Sequence, residues 1–145
     1  MTRFLPDTSC LVAAVCSWHE HHAATAEDLA RRSKRREEMA IAAPALLETY
    51  AVLTRLPPPY RLRPADALEA MEGSWGGIEV VAVPAAETWD LLRTLPTRRV
   101  AGGASYDAVI VACARKARAD VILTWNLRDF ERLADDVEVA APASR

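Results

Sequence analysis

Apolar positions along this chain fall into two kinds of run, short ones without helical spacing and longer ones with it, and the two kinds alternate. Arg3 to Pro6 reads as a first strand that stops at Asp7-Thr8-Ser9, where Thr8 or Ser9 is expected to cap a helix opening at Cys10. A second helix is expected from His22 to Glu37, with Ala23, Ala26, Leu29 and Ala30 as its apolar stripe. Arg31, Arg32, Lys34, Arg35 and Arg36 crowd its end. There the macrodipole favours cations by roughly 0.3–1 kcal/mol each, and the run reads as a solvated helix end. Met39 to Ala43 reads as a buried strand. Pro44 suits the first position of a helix over Ala45 to Leu56, which Pro57-Pro58-Pro59 terminates.

A further helix is expected from Pro64 to about Gly73. Ile78 to Val83 is rich in β-branched residues and alternates little, which favours a covered strand over an edge one. Helix follows from Pro84 or Ala85 to Leu95. Gly102-Gly103 makes a loop, and Ser105 is expected to cap a long helix reaching Ala119. Val121 to Trp125 is the clearest strand, Asn126 to Leu133 a short helix, and Val137 to Ala141 a last strand. This order predicts an α/β domain whose five strands form a small, mainly parallel, doubly wound sheet.

Composition narrows the reading. The 145 residues suit one domain over 1–145, and a hydrophobic content of 51% supports a real core rather than disorder. A net charge of -2 excludes nucleic-acid binding by bulk electrostatics, so any such role must come from a local site. Cys10, Cys16 and Cys113 are odd in number and lack paired spacing, as expected of small buried residues in a reducing compartment. The N-terminus lacks a signal-like run, and no stretch approaches the ~20 apolar residues of a membrane span. A cytoplasmic protein without membrane attachment is expected. Trp18-His19-Glu20-His21-His22 spaces its histidines by two and three from His19, not by the four that a zinc helix needs. A polar helix start, or a contact to RNA near a pocket, suits it better. No Ser-His-Asp set and no glycine-rich phosphate loop is legible.

The chemistry lies in four acids. Open α/β sheets bind ligands beyond the carboxyl ends of their strands. Asp7 directly follows the first strand, and Glu48 lies one turn into the helix after the second. Asp107 stands in the first turn of the helix opened by Ser105, and Asp129 follows Thr124-Trp125-Asn126 beyond the fourth strand. Any one of these has an ordinary structural explanation. Glu48 and Asp107, however, interrupt apolar runs where an unpaired charge is costly to bury. Two carboxylates at about 4 Å repel by roughly 4 kcal/mol at an effective dielectric of 20. A hard divalent cation such as Mg²⁺ or Mn²⁺ is the natural relief.

Leu5-Pro6-Asp7-Thr8-Ser9, Glu48 in its apolar helix, Tyr106-Asp107-Ala108 and Thr124-Trp125-Asn126-Leu127-Arg128-Asp129-Phe130 follow one another in an order that resembles the PIN-domain nucleases, most closely the VapC toxins of bacterial toxin–antitoxin pairs. The resemblance covers nearly the whole chain. It implies a three-layer PIN-like fold with sheet order 3-2-1-4-5, a homodimer and a pocket of three or four acids. It also implies a metal-dependent endoribonuclease that acts on RNA through a metal-activated water. Metal ligation would fall to Asp7, Glu48, Asp107 and Asp129. Ser9 and Thr124 would be hydroxyl supports, with Asn126 beside the fourth acid. A VapB-like antitoxin partner is implied as well. Candidate phosphate contacts are Arg61, Arg63, Arg98, Arg99 and the Arg31–Arg36 run, while Trp18 and Trp125 are open to base stacking or to packing. Two alternatives stand beside this reading. One is a catalytically weak PIN-like domain that binds RNA or antitoxin. The other is a receiver-like domain phosphorylated on one Asp, which the missing strand-end lysine disfavours.

Overall fold

The computed structural model describes residues 1–143. β1 (Arg3–Pro6) leads through α1 (Thr8–Val15) and α2 (His22–Lys34) to β2 (Glu38–Ala42). From there α3 (Ala43–Arg55) and α4 (Pro64–Trp75) cross to β3 (Glu79–Val81). A 3-10 turn at Ala85–Glu87, then α5 (Thr88–Thr97) and α6 (Ala104–Lys116), return the chain to β4 (Val121–Leu123). Finally α7 (Leu127–Glu131) precedes β5 (Glu138–Ala140). The strands pair in parallel throughout, in the order β3-β2-β1-β4-β5, with helices against both faces. This is the expected α/β architecture and strand order.

The two-residue period of a strand divides the apolar side chains of the centre between those faces. Leu5, Ile41 and Ile122 enter the larger core with Leu11, Val111 and Phe130. Phe4, Val121 and Leu123 enter a smaller one with Cys10, backed by Leu29, Met39 and Trp125. Coverage on both sides explains why β1 and β4 read as unbroken apolar runs. Each large side chain so buried contributes about 1.5–3 kcal/mol.

Two expectations are overturned. β3 is an edge strand with Val80 exposed, not a covered one. β-branched residues favour extended backbone wherever it lies, so they do not report what covers it. On α2 the buried positions are Thr25 and Asp28, whereas Ala23 and Ala30 are exposed. Asp28 is tolerated inside because Arg31 and Arg32 each donate to one of its oxygens at 2.8 Å. Arg32 also reaches Glu37 at 2.7 Å and lies over the Phe4 ring. The first two arginines of the basic run therefore pin α2 in place, and Lys34, Arg35 and Arg36 form the solvated end.

Several boundaries move as well. α2 ends at Lys34, Pro44 takes the second helical position of α3, and β4 stops at Leu123. Gly102 turns the chain into α6 at φ 60, a left-handed conformation that glycine adopts without penalty. Ser105 lies inside α6 and caps nothing; the N-cap is Gly103. Among the described residues no helix is long and apolar enough to cross a membrane. The three cysteines are free and buried.

Candidate active site

From β1 the chain first builds the sheet toward β2 and later returns to β4 on the other side. Loops leaving the carboxyl ends of β1 and β4 therefore part and leave a crevice. A pocket of about 410 Å³ fills it, lined by Asp7, Ser9, Glu48, Asp107 and Asn126 and by His19, His21 and Trp125.

Asp7 is the most constrained member. Its N–H extends the sheet to Leu123 O at 2.9 Å, and its Oδ1 accepts from Cys10 N–H at 3.1 Å as the N-cap of α1. Neither Thr8 nor Ser9 is the cap, because α1 begins directly after Asp7. Ser9 Oγ instead donates to Oδ1 at 2.6 Å, and Thr124 Oγ1 donates to Oδ2 at 2.6 Å. Both hydroxyls are aimed by backbone. Trp125 N–H donates to Ser9 Oγ at 3.0 Å, and Asn126 N–H to Thr124 Oγ1 at 2.9 Å. With 3% of its surface exposed, Asp7 has its pKa raised by burial, against the opposing hydrogen bonds from Ser9, Thr124 and Cys10.

The other acids come from separate helices. Glu48 is exposed on α3 and accepts from Thr8 Oγ1 at 3.1 Å. Asp107 lies in the first turn of α6. Burial first, then the charges of Asp129, Asp7 and Glu48, push its pKa up to about 6. Asp129 is exposed in the first turn of α7 and stands outside the pocket wall, yet of the three charges it acts most strongly on Asp107. The fold thus brings four acids distant in sequence to the same end of the sheet, near enough for the other three to bear on Asp107. Among the described residues none of the four has an ion-pair partner.

Carboxylates flanked by hydroxyl and amide oxygens make the donor set that a hard divalent cation takes. Asp7 Oδ2 accepts one hydrogen bond and keeps a lone pair for such an ion. Among the described residues no three His, Cys, Asp or Glu side chains already stand at chelating distance. The acids are close enough to repel but not gathered. Glu48 and Asp129 are exposed, whereas Asp7 is buried and held by three hydrogen bonds.

The facing wall is aromatic. His21 stacks on Trp125 with centroids 3.9 Å apart and planes 8° from parallel, and Trp125 Nε1 donates to Thr25 Oγ1 at 3.0 Å. His19 Nδ1 accepts from His21 N–H at 3.0 Å, while His22 turns away to Ala13 O at 2.8 Å. The three histidines share no common focus. Two of them line the acid pocket, the place that one of the two expectations for this segment gave it, because the loop between α1 and α2 passes there. Three of the candidate loop arginines are engaged elsewhere, and Arg99 stands outside the pocket wall. Arg98 pairs with Asp135 and Arg63 with Asp66, Arg61 donates to Leu56 O, and none lines the pocket.

A sequence model of the PIN domain matches residues 4–136. Ribonuclease VapC40 of Mycobacterium tuberculosis is 39% identical over 137 residues, covering 92% of this chain and 96% of that protein. Ribonuclease VapC27 of the same species is 34% identical over 138 residues, covering 93% and 95%. Among solved structures, VapBC2 from Rickettsia felis bound to a DNA fragment from its promoter aligns with a TM-score of 0.70 at 16% identity, over 95% of this chain and 97% of that one. Identity that low speaks to the fold alone.

Proposed function

The chain belongs to the PIN-domain family, and on that footing we propose that it is a divalent-metal-dependent endoribonuclease, the toxin of a toxin–antitoxin pair. The observation that carries this reading is the buried Asp7 carboxylate, held by Ser9 and Thr124 in a pocket that Glu48 and Asp107 also line, with no ion-pair partner for these acids among the described residues. Mg²⁺ or Mn²⁺ held by Asp7, Glu48, Asp107 and Asp129 would neutralise that charge, polarise a phosphodiester and acidify a water.

Asp7 is the anchor of the set, because Ser9 and Thr124 hold both of its oxygens in place. Glu48, Asp107 and Asp129 bring further negative charge on three separate helices, and Asn126 offers an amide at the pocket wall. In the proposed reaction a water attacks the RNA phosphorus in line and the bond to the 3′ oxygen breaks. One water proton ends on that oxygen as the 3′-hydroxyl of the upstream fragment, and the downstream fragment keeps the phosphate on its 5′ end. Water is the nucleophile, so the 2′-hydroxyl is not required.

The same proposal takes in a VapB-like antitoxin, a homodimer, a cytoplasmic setting and a single domain over 1–145, and the likeness to named VapC ribonucleases supports the toxin role from which they follow. Leu47, Tyr50, Leu68 and Val80 lie exposed on α3, α4 and β3, an apolar face that suits a protein partner. A second reading, a PIN-like domain that binds RNA or antitoxin without turnover, draws on the acids not yet standing at chelating distance.

Incubation of the purified protein with RNA in Mg²⁺ or Mn²⁺, beside Asp7→Asn and a chelated control, tests the proposal. Metal-dependent cleavage that leaves 5′ phosphates and disappears in Asp7→Asn is expected. Equal cleavage by both proteins refutes it, and binding without cleavage favours the second reading.

A further inference from the structure

One margin of the acid pocket carries an unbroken row of rings. Tyr60 and Trp18 lie 4.3 Å apart between centroids, Trp18 and His19 5.9 Å, His19 and His21 5.7 Å, and His21 and Trp125 3.9 Å. The rings come from the loop after α1, the loop before α4 and the segment after β4. His19, His21 and Trp125 line the pocket, whereas Trp18 and Tyr60 stand outside it, 47% and 44% exposed.

Trp125 has a structural reason for its place: it packs on the smaller core and bonds Thr25. Core packing does not explain Trp18 and Tyr60, which belong to neither buried cluster. The two walls also differ in charge. Four carboxylates bear on one side. The aromatic side has one, Glu20, 3.6 Å from His21. A phosphodiester strand is repelled by the first wall in the absence of cations and can rest its bases on the second.

We propose that Tyr60, Trp18, His19 and His21 form a stacking track for the bases of single-stranded RNA leading into the acid pocket, an inference that rests on the ribonuclease reading. Unpaired bases present their π-faces, whereas duplex bases cover each other, so the track selects single strands. His21 is held flat on Trp125, and Trp125 N–H orients the Ser9 hydroxyl that holds Asp7. A base seated on His21 is thereby placed in fixed relation to the carboxylate.

The test measures KM and kcat for cleavage of an unstructured RNA by the wild type, Trp18→Ala, Trp18→Phe and Tyr60→Ala in Mg²⁺. Alongside it, the binding of a labelled short RNA, single-stranded or duplex, is followed by anisotropy in the Asp107→Asn background. Trp18→Ala and Tyr60→Ala should each weaken single-strand binding and raise KM by about tenfold with kcat little changed, and Trp18→Phe should recover most of the loss. Tyr60→Ala carries the test by itself if Trp18→Ala does not fold. Unchanged KM and binding in the variants, or equal binding of duplex, overturns the track and leaves the nuclease standing. Loss of self-association with RNA binding intact assigns the rings to a protein contact and likewise overturns it. A wild type that neither cleaves nor binds RNA refutes the ribonuclease reading itself.

Discussion

Thr124 Oγ1 donates to Asp7 Oδ2 at 2.6 Å, joining two buried residues 117 positions apart across the ends of β4 and β1. The same hydroxyl accepts from Asn126 N–H, so it transmits the loop geometry after β4 directly to the carboxylate. Thr124→Val keeps the shape and removes both bonds. It should cost about 1–3 kcal/mol in urea denaturation, the price of orphaned buried polar groups, and should weaken metal binding at Asp7. Thr124→Ser should behave nearly as the wild type. Equal stability of the valine and wild-type proteins would deny the hydroxyl this role.

Asp107 sets a pH dependence. Its folded-state pKa of about 6 lies above the ordinary 3.8, so between those values the folded protein binds the proton more tightly than the unfolded chain. The stabilising contribution is complete below about pH 4 and is lost as the pH rises through about 6. Asp107→Asn removes the penalty. In chelator at pH 7 that variant should melt a few degrees above the wild type, with the gap closing toward pH 4, where about 1 kcal/mol corresponds to roughly 2–4 °C at this size. Melting curves that coincide at every pH would contradict the crowding of charge at Asp107.

Asp28 holds Arg31 and Arg32 against the sheet away from the acid pocket. Asp28→Ala leaves both guanidinium groups half-buried, with Glu37 still available to Arg32. A loss of about 3 kcal/mol is expected, at the low end for removing one partner of a buried pair. Chemical denaturation reads the loss, and cleavage per folded molecule should stay unchanged.

The alternation of strand and helix was legible because β1 and β4 are covered on both faces and their apolar runs are unbroken. That Asp7, Glu48 and Asp107 face one pocket follows from their places at strand ends and in the helices after them, whereas the burial argument holds for Asp107 and fails for Glu48, which is exposed beside an exposed Leu47. The edge position of β3 was not legible, since Val80 and Val81 look alike whether or not a neighbour covers them. Nor was the buried face of α2, where a charged residue replaces an apolar one because two arginines three and four positions on neutralise it. That spacing is itself a helical pairing signal. The place of His19 and His21 beside the pocket was one of two expectations for their segment, and the route of their loop decides it.

Titration of Mn²⁺ into the wild type, Asp7→Asn and Asp107→Asn, followed by calorimetry at pH 6 in buffers of different ionisation enthalpy, tests most directly whether these acids share one cation. Saturable binding by the wild type with proton release, weakened at least about tenfold in either variant and with less proton release in Asp107→Asn, is the predicted result. Identical binding by all three proteins, or none by the wild type, would contradict it.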